Sequence, residues 1–358
     1  MEHIGLIGQP NAGKTTLFNA LTKEEHLVGV HPFTTSQTVS SVAFIDDFRL
    51  NKLAEMSKSK KKVATSVELV DIAGLTPGAS KGEGLGNKFL GRLREVDALC
   101  FVLRNFEDES ILGNSNPFEA LMELELELIL ADSEAVTSMI RRREKAARSD
   151  KSELKIVESF REIEEILNKG TPLFKANLSK DMKESLEGAF LLTLKPFIVV
   201  INIAEGDIGL KLDEVDQIKE YITGHGEVLE VCAKLEMEVS KLEEGEKADM
   251  FEGLGLGKGA TSRIAKAAHE ILGLRTFFTT GDKESRAWTF REGSTAPICA
   301  GVIHSDLKRG FIRAEVINWE ELLGFGSWHA AKTNGKIRVE GKDYVVRDGD
   351  VMEIRFNV

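Results

Sequence analysis

Apolar residues in this chain follow three rhythms. Short runs of near-continuous apolar character read as buried strands: His3-Ile4-Gly5-Leu6-Ile7, Val67 to Asp71, Ala98 to Leu103, the run starting at Lys195-Pro196-Phe197, and Glu227 to Val231. Thr16 to Leu21 and Lys88 to Glu95 read as helices between them. Strands alternating with helices, and apolar throughout rather than at every second position, predict an α/β domain with a parallel sheet covered on both faces. From Phe118 the spacing becomes helical over long stretches. Leu121, Leu124, Leu128, Val136, Met139 and Ile140, then Leu154, Val157, Phe160, Ile163 and Leu167, predict two long amphipathic helices forming a hairpin that projects from the sheet. From Thr276 the period drops to two, in Arg286 to Phe290, Gly310 to Val316, Ile337 to Glu340 and Val351 to Phe356. Gly341-Lys342 and Asp348-Gly349 are hairpin turn signals, and a short helix is expected near Trp319 to Leu323. This last stretch predicts a small α+β domain with one sheet face exposed. It shows no catalytic constellation, so interaction is its expected business. The predicted boundaries are 1–117 with 194–275 for the sheet domain, 118–193 for the helical insertion and 276–358 for the C-terminal domain.

Composition adds limits. The 358 residues are 42% hydrophobic and 29% charged, as in ordinary globular proteins, and can bury a sizeable core. The net charge of −11 argues against a generic polyanion binder, so nucleic-acid contact must come from local basic patches. Cys100, Cys232 and Cys299 lie too far apart for a metal-ligand or disulfide pattern. They suit small core residues in a reducing cytosol. No run is long enough to span a bilayer, and no signal peptide precedes the first strand, so the expected location is cytoplasmic and no membrane partner is expected.

The chemistry starts at Gly8-Gln9-Pro10-Asn11-Ala12-Gly13-Lys14-Thr15, which fits G-x-x-x-x-G-K-[ST] between a predicted strand and a predicted helix. A tight glycine turn feeding a helix aims successive backbone N–H groups, here those of residues 11 to 16 (Asn11, Ala12, Gly13, Lys14, Thr15, Thr16), at one anion. Lys14 is expected to reach the β- and γ-phosphates, and the Thr15 hydroxyl to ligate Mg²⁺.

Two further segments fit a nucleotide switch. In the loop Val28 to Gln37, Thr35, with Thr34 as second choice, is expected to add a hydroxyl to Mg²⁺ and an N–H to the γ-phosphate; the lesser alternative is that both threonines merely start the next strand. The strand Val67 to Val70 runs into Asp71-Ile72-Ala73-Gly74. Asp71 is expected to support Mg²⁺ through water, and the Gly74 N–H to sense the γ-phosphate. Leu75 follows, where Ras-type enzymes carry the glutamine that orients the attacking water, so water must be placed otherwise or turnover is slow until a partner acts. Gly78 to Asn87 holds four glycines and reads as a mobile loop suited to ordering by the γ-phosphate.

Base recognition is expected at Asn202-Ile203-Ala204-Glu205. GTPases carry Asn-Lys-x-Asp here, the aspartate accepting from guanine N1 and the exocyclic amine. Ile203 replaces the lysine and the longer Glu205 replaces the aspartate, which weakens guanine selectivity. Cys232-Ala233-Lys234 stands where GTPases place a Ser-Ala-Lys base-packing loop.

Two basic runs remain. Arg141 to Arg148, between the long helices, reads equally as an RNA-phosphate contact or as a solvated helix end. Lys58 to Lys62 reads more readily as a solvated turn. Trp288, Trp319 and Trp328 read as core or interface residues rather than a base-stacking platform.

Together the phosphate loop, Val70 to Leu75, GASKGEGLGNKF over Gly78 to Phe89, Asn202-x-x-Glu205, Arg286-Ala287-Trp288 and Val339 to Tyr344 resemble the YchF / Obg-like ATPase family along the whole chain. The resemblance implies a Ras-like P-loop nucleotide domain, a helical insertion and a C-terminal TGS (β-grasp) domain. It implies ATP preferred over GTP, Mg²⁺ dependence, and association with the ribosome and its RNA. Asn11 matches the asparagine that ligates an activating K⁺ in related switches lacking the glutamine. Ile111 to Pro117 departs from the family: it is short and lacks the histidine proposed to help place the water, which implies low basal turnover.

The expected mechanism is a monomeric ATPase switching conformation on the ribosome. Lys14, Thr35 and Gly74 act on the phosphates. Thr15, Thr35 and Asp71 serve Mg²⁺. Asn202, Ile203, Glu205 and Cys232 frame the base. Hydrolysis releases the loops near 30–37 and 74–87 and changes how the helical arm and C-terminal domain are presented. The rivals are a GTPase on the same fold, a nucleotide-bound adaptor with negligible turnover, and, more distantly, a P-loop kinase.

Overall fold

The computed structural model describes residues 2–22, 39–72, 85–108, 115–254 and 259–357. The chain opens with β1 (His3–Ile7), α1 (Lys14–Thr22), β2 (Val39–Phe44), α2 (Phe48–Met56), β3 (Lys61–Val63), β4 (Ser66–Asp71), α3 (Leu85–Glu95) and β5 (Ala98–Asn105). It continues through α4 (Pro117–Ala147), α5 (Glu153–Asn168), α6 (Lys180–Ser185), β6 (Phe197–Ile203), α7 (Asp213–Tyr221), β7 (Gly226–Val231), α8 (Ala233–Ser240), α9 (Glu244–Gly253) and α10 (Gly259–Ile271). It closes with β8 (Leu274–Thr279), β9 (Glu284–Arg291), α11 (Ala296–Ile303), α12 (Ser305–Arg309), β10 (Phe311–Asn318), α13 (Trp319–Phe325), α14 (Trp328–Thr333), β11 (Arg338–Glu340) and β12 (Asp350–Phe356).

These elements form two compact units, Met1–Ala43 with Glu68–Ile264 and Phe44–Val67 with Ala265–Val358. The first holds a sheet of order β2-β4-β1-β5-β6-β7, in which β4, β1, β5, β6 and β7 run parallel. Strand β6 is buried at every residue, and β5 at all but its last, because helices cover both faces. The chain leaves β1 and returns on one side as β4 and on the other as β5. A crevice therefore opens at the carboxyl ends of the strands beside β1, where α/β sheets hold ligands.

The helical hairpin lies within this unit. Asn116 caps α4 by accepting from the N–H groups of Phe118 and Glu119 at 2.9 and 3.1 Å, and Pro117 occupies the first turn, where no N–H is missed. The first half of α4 buries Ala120, Leu121, Leu124 and Leu128 in the sheet core with Phe101, Val199 and Ile201. Its outer half packs Val136 and Ile140 against Phe160, Ile163 and Leu167 of α5. The sequence boundaries set 118–193 apart as an insertion. Its inner half shares the core of the sheet, while its outer half and α5 form a cluster of their own. Basic residues Arg141, Arg142 and Lys145 are exposed near the end of α4, and Arg143 pairs with Glu153 at 2.7 Å.

The second unit is a mixed sheet of order β11-β10-β12-β8-β9-β3. Helix α11 contributes Ala296, Cys299 and Ala300 to its core beside Phe277, Val316 and Met352, an arrangement consistent with a β-grasp fold. Three expectations change here. Residues 44–67, assigned from sequence to the nucleotide domain, join this unit, because Leu50 and Leu53 of α2 are buried with Phe278, Ala287 and Ile317. The lysine run 58–62 is exposed, yet Lys61–Val63 pairs in parallel with β9 rather than forming only a turn. The turn signals at 341–342 and 348–349 do not close a hairpin, because β11 and β12 flank β10 on opposite sides. Trp288 stacks on Phe277 with centroids 6.3 Å apart and donates to Thr279 Oγ1 at 3.0 Å, a core role like that expected. All three cysteines are buried and free. No described helix is long and apolar enough to cross a membrane.

Candidate nucleotide site

The loop between β1 and α1 has the backbone its glycines permit. Asn11 has φ +62° and Gly13 φ +90°. A Cβ on Gly13 would lie 2.2 Å from Asn202 Nδ2, and one on Gly8 2.3 Å from the carbonyl oxygen of Val102. Backbone packs where side chains would stand, so only glycine lets the loop close here. The N–H of Ala12 donates back to Gln9 O at 3.3 Å, and Leu17 N donates to Gly13 O at 2.9 Å as the helix begins. The unpaired amides of the first turn of α1 consequently face one point.

Lys14 is the first residue of α1 and is buried. Its ammonium donates to the carbonyls of Gly8 (3.0 Å) and Gln9 (2.8 Å), so the side chain folds back over the loop. Burial drives its pKa down to about 8, with the Asp71 charge opposing the shift. Thr15 Oγ1 donates to Asp71 Oδ2 at 3.1 Å, bringing the end of β4 to the first turn of α1. A hydroxyl and a carboxylate at this distance are the hard oxygen donors that Mg²⁺ takes alongside phosphate oxygens and water. Among the described residues no cluster of three or more His, Cys, Asp or Glu side chains could hold a metal alone, so a cation here would draw on the nucleotide for its remaining ligands. Thr16 is half-buried in the same turn.

Asn202, second to last in β6, is buried and links two loops. Its Nδ2 donates to Ala12 O at 3.1 Å, and its Oδ1 accepts from Ala233 N at 3.0 Å. The Ile203 side chain lies in the apolar core beneath. Glu205 is exposed in a one-turn 3₁₀ segment, Glu205–Asp207. Cys232 is buried immediately before α8, and burial raises its pKa, with the nearby Glu205 charge adding to the rise.

The structure thus brings together Ala12, Gly13, Lys14, Thr15, Asp71, Asn202 and Cys232. Thr34, Thr35, Gly74, Leu75, the loop up to Gly84 and Ile111–Asn114 lie outside the described residues. Sequence reasoning missed the Ala233 N–H, which carries the contact from the base loop, though Ala233 stands within the motif it singled out. It also missed Glu123 of α4, whose carboxylate accepts from Gln9 Nε2 at 2.5 Å. A lone acid among the many glutamates of that helix carries no sequence signal.

Comparison with known proteins gives matches over the whole chain. A family model described as a 50S ribosome-binding GTPase matches residues 3–203. A second, YchF-GTPase_C, described as a protein of unknown function, matches residues 274–357. The chain is 43% identical to a protein of Bacillus subtilis named ribosome-binding ATPase YchF, over 99% of each chain. It is 40% identical to the protein of the same name from Escherichia coli O157:H7, again over 99% of each. The solved structure of the Schizosaccharomyces pombe YchF GTPase superposes with a TM-score of 0.85 at 30% identity, covering 99% of this chain and 97% of that one.

Proposed function

This chain belongs to the YchF family, and from that premise we propose that it is a ribosome-associated switch that binds and hydrolyses ATP, in preference to GTP, with Mg²⁺. The observation that carries the reading is the junction at Asn202. One amide ties the phosphate loop to the base loop, and the turn that follows offers Glu205 in place of a guanine-reading aspartate.

The phosphate half follows from charge and geometry. Amides at the start of α1 and the Lys14 ammonium neutralise the β- and γ-phosphates. Thr15 and Thr35 would hold Mg²⁺, with Asp71 supporting it through water, and the ion would supply charge neutralisation at the phosphates. Gly74 senses the γ-phosphate, and Asn11 is the residue that would admit an activating K⁺. On the base side, Asn202 and the Ile203 backbone read the adenine, with Cys232 and Glu205 framing it. The longer Glu205 carries its carboxylate to a different place from the aspartate that pairs with guanine N1 and N2, so guanine loses the contacts that select it. The ribosome, with its RNA, is the partner in keeping with the relatives' names, and the protein works as a cytoplasmic monomer.

Competition between ATP and GTP for the full-length protein tests the base assignment: equal or GTP-favoured binding overturns it. Turnover of Lys14→Ala tests the phosphate site, because retained hydrolysis at normal affinity overturns that assignment. A GTP-hydrolysing switch is the second reading, supported by the GTPase named in the fission-yeast relative.

A further inference from the structure

We infer that a ring of polar contacts through Arg94, Asp132 and Lys195 couples the nucleotide site to the helical arm, making α4 a lever driven by α3. The inference rests on the nucleotide switch proposed above and names the part of the fold that carries its signal outward.

Helix α4 has 31 residues, about 46 Å at the usual rise. Polar contacts join it to the phosphate loop and to α3. Near its start, Glu123 accepts from Gln9 of the phosphate loop. Eight residues on, the backbone carbonyl of Ala131 accepts from Arg94 at 3.2 Å, and the carboxylate of the next residue, Asp132, stands 4.0 Å from the same guanidinium. Arg94 lies at the end of α3, the element that follows β4 and Asp71 in the chain. Its other amino group donates to Phe190 O at 3.4 Å.

The ring then closes. Asp132 is fully buried and accepts from Leu192 N, Thr193 N and Thr193 Oγ1, each at 2.8 Å. This fixes the segment that returns from the arm to β6. From that segment Lys195 donates to Arg94 O at 3.1 Å and to Val96 O, placing a cation at the C-terminal end of α3. The end of α3, the middle of α4 and the return segment are therefore held as one block. Charged hydrogen bonds at a largely buried site resist sliding more than apolar packing does.

Glu123 and Asp132 are about 13 Å apart along the helix, and Ala147 lies about 22 Å beyond Asp132. With the Glu123 end held by the phosphate loop, a shift of about 1 Å of α3 would move the end of α4 by about 2.7 Å in a rigid lever. Helix α5 travels with it, because the two share a core.

The test is a distance measurement by electron–electron double resonance on the full chain, with nitroxides at Lys145→Cys in α4 and Glu220→Cys in α7. Both positions are exposed, and the three native cysteines are buried. The mean distance is compared with ADP and with Mg²⁺ plus a non-hydrolysable ATP analogue. The expected result is a shift of about 2 Å or more in the parent chain. The same shift should be abolished by Arg94→Ala and by Lys195→Met, with nucleotide dissociation constants changed less than about threefold. Lys195→Met removes the hydrogen bonds to Arg94 O and Val96 O while leaving the Arg94 side chain in place, and decides alone should Arg94→Ala fail to fold. A parent chain that binds the analogue without a shift, or variants that keep the shift, overturns the coupling and leaves the nucleotide site standing. A parent chain that binds no adenine nucleotide overturns both.

Discussion

Thr15 donates its hydroxyl to Asp71 at 3.1 Å, although 56 positions separate the two in the chain. The contact joins the first turn of α1 to the last residue of β4 and sets two hard oxygen donors at the edge of the phosphate loop. Neither group alone is a metal site. Together with phosphate oxygens they would supply donors of the kind Mg²⁺ takes in a bound nucleotide, as proposed above.

Thr15→Ala should therefore uncouple nucleotide affinity from Mg²⁺. Titration of ATP at low and high Mg²⁺ should show a strong dependence in the parent chain. The variant should lose about tenfold or more in the Mg²⁺-bound state, with little change in its absence. Equal Mg²⁺ dependence in both proteins would remove Thr15 from the metal's shell.

Lys14 gives a proton signature. Burial holds its pKa near 8 in the nucleotide-free protein. Phosphate charge brought beside it raises that pKa, so binding takes up protons. Uptake traced to Lys14 should approach half a proton near pH 8, fade below about pH 7 and be absent in Lys14→Met. Calorimetry in buffers of different ionisation enthalpy measures it. Hydrolysis by Lys14→Ala should fall by about 100-fold or more.

Gly13→Ala tests the close approach of the phosphate loop to β6. The new methyl would meet Asn202 Nδ2 at 2.2 Å, on a backbone with φ +90°. A loss of about 2 kcal/mol or more in stability, together with loss of nucleotide binding, is expected from denaturant titration and ligand binding. A stable variant with normal affinity would refute the Asn202–Ala12 junction as drawn.

Glu205→Asp should restore part of the guanine contact. The GTP-to-ATP affinity ratio should rise by about tenfold or more, measured by competition on one preparation. An unchanged ratio would place base selection elsewhere.

In the second unit, His269 is buried, its Nε2 has no hydrogen-bond partner among the described residues, and burial lowers its pKa to about 4. Asp348 and Asp47 raise that value and Arg49 lowers it, each less than burial does. Unfolded histidine titrates near 6.5, so between pH 6.5 and 4 the unfolded chain binds a proton that the folded chain refuses. Stability present above pH 6.5 should fall by about 3 kcal/mol as pH approaches 4. His269→Gln should flatten that part of the stability–pH curve, read by denaturant unfolding at a series of pH values.

Much of the site could be read in one dimension because it is local. The phosphate loop needs glycines at fixed spacing between a strand and a helix, and those few residues dictate their own backbone. Asn11 and Gly13 at positive φ are the outcome. The Asp71 strand end, the Asn202 strand end and the long period of α4 and α5 were legible for the same reason. Glu123, Ala233 and the Arg94 ring were not, because each acts through a backbone carbonyl, a backbone N–H or a single charge whose partner lies far along the chain.

The sequence by itself determined that this chain builds a phosphate-binding loop on a parallel sheet, carries a long helical hairpin and ends in an α+β unit, because hydrophobic period and turn chemistry are properties of neighbouring residues. Only the tertiary structure decided that residues 44–67 leave the first unit to complete the second, where Leu50 and Leu53 are buried. It alone decided that Asn202 joins two loops and that Asp132 anchors the return segment beneath the arm. Those outcomes depend on which buried groups find partners across long loops, and the pairing is settled when the whole core closes, since a buried polar group without a partner carries a large penalty.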